Sequence, residues 1–201
     1  MDFSKVKAAL EARAFQVTVC PTKEAAAAYL NAQIDGATVG FGGSMTLREL
    51  GLFDTLSAHN TVYSHWNLPE GRTGAQVLAD AAGAEVFLTS VNGLAETGEL
   101  INIDGTGNRV AGTLYGHRKV YFVVGRNKLA PTYDEALWRA RNIAGPKNAR
   151  RLGVKTPCAA KGDKCYDCKS PQRICRALVV LWESVKSCDM EVVLVDEELG
   201  Y

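Results

Sequence analysis

Two runs, KVYFVVG at 119–125 and VVLV at 192–195, constrain this chain most. Both are apolar without the polar alternation of a half-solvated strand, so each needs cover on both faces, the usual condition of strands in a parallel sheet. Parallel strands require crossover segments, and the chain supplies them. Residues 3–14 place Phe3, Val6 and Leu10 near a 3.6-residue period, QVTVC (16–20) reads as a strand, and Thr22 stands where it can cap an Ala-rich helix running to Ile34. ATVGF (37–41), a helix in MTLREL, TVYS (61–64), a helix from about Thr73 to Ala82 and EVFLTS (85–90) continue the alternation. The order predicts an α/β fold whose mostly parallel or mixed sheet is covered on both faces. Between the last two strands, helices are expected at about 134–143 and 171–187, with a Cys-rich flap between them.

The 201 residues suit one α/β domain over 1–201 carrying a Cys-rich segment at 156–176. A formal net charge of +1 provides no whole-molecule field for nucleic acid or an anionic membrane, so neither is an expected partner. Local charge differs: from Arg126 to Lys155 eight Lys/Arg face only Asp134 and Glu135, either a solvated helix face or an anion-binding rim. The N-terminal stretch carries charges throughout and lacks the apolar run of a signal peptide, and no segment reaches 18 apolar residues. The expected location is the cytoplasm, where thiols stay reduced.

Two loop regions carry candidate chemistry. In GFGGS, Gly42, Gly43, Ser44 and the nearby Thr46 can bring backbone N–H groups and hydroxyls to an anion, although a tight turn without ligand has the same composition. The loop is neither a Walker A sequence nor GxGxxG, and the chain has no nicotinamide or flavin fingerprint. The second region, Thr89 to Gly112, begins where a strand ends, at the edge where open α/β sheets bind ligands. Asn92, Asn108 and Arg109 are candidate ligand-binding residues, Arg109 as a bidentate clamp for carboxylate or phosphate. Glu96 is the candidate nucleophile or base, and Asp104 an orienting group or second base. The same residues also suit a pair of ordinary hairpin turns. His65, just past a strand, either enters the site or stacks near Trp66.

Cys158, Cys165, Cys168 and Cys175 follow the spacing C-x6-C-x2-C-x6-C. The central CxxC can supply two ligands to zinc or to an iron–sulfur cluster, and Gly162 and Pro171 in the spacers let the outer thiols fold back. The pattern is neither a zinc ribbon nor a ferredoxin run, so metal binding, redox-active thiols and plain packing all remain open. Surrounding Lys and Arg side chains would lower thiol pKa values under either of the first two readings.

Three separated motifs, ATVGFGGSMTLRELGL (37–52), NGLAETGELINIDGTGNRVAGTLYG (92–116) and ARNIAGPKNARRL (140–152), resemble the LUD domain family of lactate-utilisation proteins, which includes LutC and YkgG proteins. The resemblance covers nearly the whole chain and is nearest to a small stand-alone form with the closing pattern TPC…C.DC.SP.RIC. It implies a three-layer αβα sandwich like that of the NagB/RpiA/CoA-transferase group, with ligands over the Gly-rich loops. Carried over, it points to Gly42, Gly43, Ser44, Thr46, Glu96, Asp104, Asn108 and Arg109. It also implies a small anionic metabolite as ligand and a role in oxidising L-lactate to pyruvate beside iron–sulfur partner subunits. The alternatives are a non-catalytic metal-binding subunit for electron transfer or docking, and an isomerase or acyl/CoA-transferase of the same fold group. A homodimer is the expected assembly.

Overall fold

The structure, a computed structural model, describes residues 2–201. Its strands in chain order are β1 (Gln16–Cys20), β2 (Thr38–Phe41), β3 (Thr61–Tyr63), β4 (Val86–Thr89), β5 (Gly93–Ala95), β6 (Leu100–Asp104), β7 (Lys119–Gly125), β8 (Leu129–Ala130), β9 (Ala177–Leu181) and β10 (Asp189–Val195). Six of them form one sheet in the order β1-β10-β7-β4-β2-β3, every neighbouring pair parallel. The two apolar runs are β7 and the end of β10, neighbours inside this sheet. Their side chains alternate between two separate cores: Tyr121, Val123, Val193 and Val195 enter one, and Val120, Phe122, Val124, Val192 and Leu194 the other. Both faces are buried, which is why neither run alternates with polar residues.

Helices supply much of the cover. The first core takes Ala26 and Leu30 of α2 (Lys23–Gln33), Leu47 of α3 (Met45–Glu49) and Leu52 and Leu56 of α4 (Leu52–Ser57), whereas Val6 and Leu10 of α1 (Ser4–Ala12) enter the second. Thr22 caps α2 by accepting from the N–H of Ala25, and Thr73 and Gln76 form a capping box at the start of α5 (Gly74–Ala82). The remaining strands make a smaller mixed sheet, β8-β5-β6-β9. Leu94, Leu100 and Leu181 of that sheet join the second core, so it lies with α1 on one face of the parallel sheet. The α/β class and the mostly parallel sheet flanked by helices agree with the sequence reading.

Glu191 marks the first face. It is 4% exposed, yet it pairs with Lys119 at 2.9 Å and accepts from Tyr29 at 2.6 Å and Thr18 at 2.8 Å, so its buried charge is compensated.

Three expectations need correction. Residues 89–112 are not one open loop, since they contain β5, β6 and α6 (Asn108–Gly112). The helix expected at 134–143 runs further, as α7 (Tyr133–Arg139), a π-helical turn (Ala140–Ala144) and α8 (Gly145–Arg151). Pro146 sits in the first turn of α8, where a missing N–H is tolerated directly after the wide turn. No helix occupies 171–187 among the described residues. Ala177–Leu181 is instead the edge strand β9, antiparallel to β6. Its Val179-Val180 pair favours a pleated surface, with Val179 packed on one core and Val180 on another.

Candidate functional site

The sheet order sets the site. From β2 the chain passes to β3 on one side, and β4 then returns on the other side of β2, a reversal at which open α/β sheets bind ligands beyond the strand C-termini. A cavity of about 250 Å³ lies there. Its walls come from Gly43 and Ser44 after β2, His65 and Trp66 after β3, Ser90 after β4 and Lys128 after β7. Across from these stand Asp104 and Arg109 around α6, and Gly145, Asn148 and Arg151 of α8. The π-helical turn thus directs the start of α8 at the cavity; such bulges recur at functional sites.

Lys128 was counted in the sequence only as part of a basic run. It is the last residue of the 3₁₀ turn (Arg126–Lys128) after β7 and is 4% exposed. Its ammonium donates to Thr46 Oγ1 and Ser90 Oγ, both at 2.8 Å. Burial, reinforced by the charges of Arg139 and Arg109 and opposed by Glu49, pulls its pKa down to about 7. An anion beside the ammonium would favour its charged form. The sequence signal was a lysine just past the most apolar strand, at the ligand-binding edge.

Of the Gly-rich loop, Gly43 and Ser44 line the cavity, whereas Gly42 and Thr46 stand outside its wall. Ser44 caps α3 by accepting from the N–H of Leu47. Gly43 leaves room: a Cβ there would stand 3.1 Å from both His65 Cε1 and the Trp66 ring. Gly42 faces the other way, its would-be Cβ 2.9 Å from Arg109 Cγ and 3.0 Å from Thr89 Oγ1. Thr46 is fully buried and serves the cavity through Lys128.

Arg109 has a different task from the one expected. Its guanidinium donates to the Ser90 carbonyl at 3.2 Å, the Ile103 carbonyl at 2.7 Å, Asn92 Oδ1 at 2.9 Å and Asn102 Oδ1. Four bonds to the protein occupy both terminal nitrogens, so the bidentate clamp is corrected to a brace tying β6 to the end of β4. Asn92 is part of the same brace, accepting also from the Ile103 N–H at 2.7 Å.

Asp104 accepts from the backbone N–H groups of Gly105, Thr106, Arg109 and Val110, at 2.6, 3.2, 3.1 and 3.1 Å. It orders the turn into α6, a structural role different from the orienting group or second base expected of it. Asn108, the first residue of α6, lines the cavity.

Glu96 is a second correction. Its backbone N–H pairs with the Ala130 carbonyl and its carboxylate with Lys5 at 2.6 Å, and it is not part of the cavity wall. The β5–β6 hairpin separates it from Asp104.

His65 lines the cavity and also packs against Trp66, so elements of both sequence readings of it meet at one place. Burial lowers its pKa, with Asp104 opposing, and its Nδ1 is buried without a hydrogen-bond partner. Trp66 stacks edge-on against it, and the Arg151 guanidinium lies 5.0 Å from the Trp66 ring centre, forming the rim.

The four cysteines are free and gather round a second cavity, of about 270 Å³. Cys158 lies in α9 (Pro157–Lys161), and Cys165 is tied to the π-helical turn by its N–H to Asn142 Oδ1 at 3.1 Å. Cys175 is common to the walls of both cavities.

Fold and site together define an α/β protein with a small, cation-lined crevice at the reversal of its parallel sheet. More particularly, the chain belongs to the LUD domain family, whose model matches residues 3–195, a family associated with lactate utilisation. A DUF162-family protein of known crystal structure, from Deinococcus radiodurans, is similar in fold: 16% identity, TM-score 0.54, covering 97% of this chain and 99% of that one. No curated protein matches the sequence. No helix among the described residues is long and apolar enough to cross a membrane.

Proposed function

We propose that this chain binds a small carboxylate metabolite of the lactate and pyruvate type in the 250 Å³ cavity, serving L-lactate oxidation beside iron–sulfur partner subunits. The observation that carries this reading is Lys128, a buried amine at the sheet reversal, held by two hydroxyls and without a carboxylate hydrogen-bonded to it. A carboxylate entering the cavity would complete it, with Arg151 as the second cation. The volume suits a molecule of a few heavy atoms with some water, since a water takes about 30 Å³. With Glu96 outside the wall and Asp104 saturated, His65 is the neutral group able to accept a proton from a ligand hydroxyl.

Calorimetric titration with L-lactate, pyruvate and inorganic phosphate tests this reading. Saturable carboxylate binding is expected, weakened about tenfold or more by Lys128→Met, the loss of a charge-assisted hydrogen bond. Absence of binding by any of the three at millimolar concentration, or equal affinity in the variant, overturns it.

A further inference from the structure

The second cavity is built differently from the first, and the reading above does not use it. Cys158, Cys165, Cys168 and Cys175 all contribute to its wall, together with Arg141, Arg173 and Arg176. Several interactions hold the thiols in place. Asp167, within the Cys165–Cys168 turn, takes φ 45, a left-handed conformation that a non-glycine residue rarely adopts. In that conformation its N–H donates to Cys165 Sγ at 3.4 Å. The Arg141 guanidinium donates to the same sulfur at 3.7 Å and pairs with Asp167 at 3.5 Å. Thr156 Oγ1 lies 3.3 Å from Cys158 Sγ. Arg173 donates to the carbonyls of Cys168 and Cys175, at 3.0 and 2.8 Å, joining the two halves of the motif.

Plain packing does not account for this wall. All four cysteines are partly exposed and none belongs to a hydrophobic core, so their burial contributes little. Nor are the sulfurs gathered at one point: among the described residues no group of three or more Cys, His, Asp or Glu is placed to hold a single ion. A tetrahedral zinc site with Zn–S near 2.3 Å requires sulfurs about 3.8 Å apart. Four thiols lining one cavity of about 270 Å³ instead leave room for a polynuclear centre between them. Such a centre with four thiolates is anionic; Arg141 and Arg173, which share the Asp167 carboxylate, together with Arg176 would offset part of that charge, while N–H donation to sulfur is how proteins tune it.

We propose that this cavity is an iron–sulfur cluster site with Cys158, Cys165, Cys168 and Cys175 as its four ligands. The full chain, purified anaerobically and reconstituted with ferrous iron and sulfide, is the material for the test. Expected are a brown protein with visible absorption bleached by dithionite, a paramagnetic signal on reduction, and about four irons and four sulfides per chain. Cys165→Ser and Cys168→Ser are expected to retain at least about tenfold less iron, whereas Cys188→Ser retains it all. A colourless protein holding stoichiometric zinc in preference to iron overturns the proposal. So does iron retained equally by the double variant Cys165→Ser/Cys168→Ser, or no iron retained by the wild-type chain. Should the serine variants fail to fold, the wild-type spectrum and iron-to-sulfide ratio decide alone. The outcome is separate from carboxylate binding, which the titration measures without metal.

Discussion

At the scale of single residues, two basic side chains carry opposite consequences. Arg109 makes four hydrogen bonds that tie β6 to the end of β4, so Arg109→Ala leaves several partly buried acceptors unpaired. The expected loss is about 2–4 kcal/mol of stability in denaturant melts, with Arg109→Lys failing to restore it because an ammonium cannot reproduce the fork. The charged form of Lys128 carries a burial penalty. Its folded pKa of about 7 lies below the ordinary 10.5, so between those values the unfolded chain binds more protons and stability rises with pH. Below pH 7 both states are protonated and the burial penalty is fully present. Lys128→Met, which removes the titration, is therefore expected to be more stable than the parent at pH 7. Its advantage should shrink toward pH 10, by on the order of 1.4 kcal/mol per pH unit across the window. Melting curves at pH 7, 8.5 and 9.5 check the sign; a gap that stays constant across that range contradicts the depressed pKa.

At the scale of elements, the Cys-rich segment docks on the turn between β6 and α6 through a close backbone approach. The Arg176 N–H donates to the Asp104 carbonyl at 2.8 Å, and a Cβ on Gly105 would stand 2.6 Å from the Ile174 carbonyl. Gly105→Ala is expected to push residues 170–176 away, raising their amide exchange by about tenfold or more while α2 and β10 keep theirs. Unchanged exchange in that segment would show that the approach is soft. This docking was not legible in the sequence, where Gly105 looked like one more turn glycine. What the sequence did show was whatever periodicity and local chemistry decide: the buried β7 and β10, the Thr22 cap, the Gly-rich turn into α3. It misread 171–187 because a helical spacing and the strand ALVVL share the same apolar residues. Only β6, more than seventy positions earlier, supplies the partner that makes it β9. Glu96 was misplaced for a related reason: a long polar stretch conceals the hairpin that turns its side chain toward Lys5. Lys128 stayed hidden because a buried amine looks like a surface one until its hydroxyl partners are brought to it from residues 46 and 90.

At the scale of the whole molecule, the two cavities are neighbours. Cys175, Ile174, Ile103 and Gly145 belong to both walls, so an occupant of the first cavity would lie against one thiol of the second. Cys158 lines the second cavity and not the first. In metal-free protein, a carboxylate bound beside Lys128 is therefore expected to shield Cys175 from alkylation and leave Cys158 reacting at its own rate. At a ligand concentration about ten times Kd, roughly one chain in eleven is free, so full shielding slows Cys175 by on the order of tenfold. Timed iodoacetamide labelling with peptide mass spectrometry reads both cysteines in one sample. Lys128→Met, with its weakened ligand affinity, should lose the protection while its unliganded labelling rates match the parent's. Equal slowing of Cys158 and Cys175 would mean that the ligand rigidifies the whole Cys-rich segment. No slowing at saturating ligand would place the carboxylate away from the shared wall, and with it the coupling between the anion crevice and the four thiols.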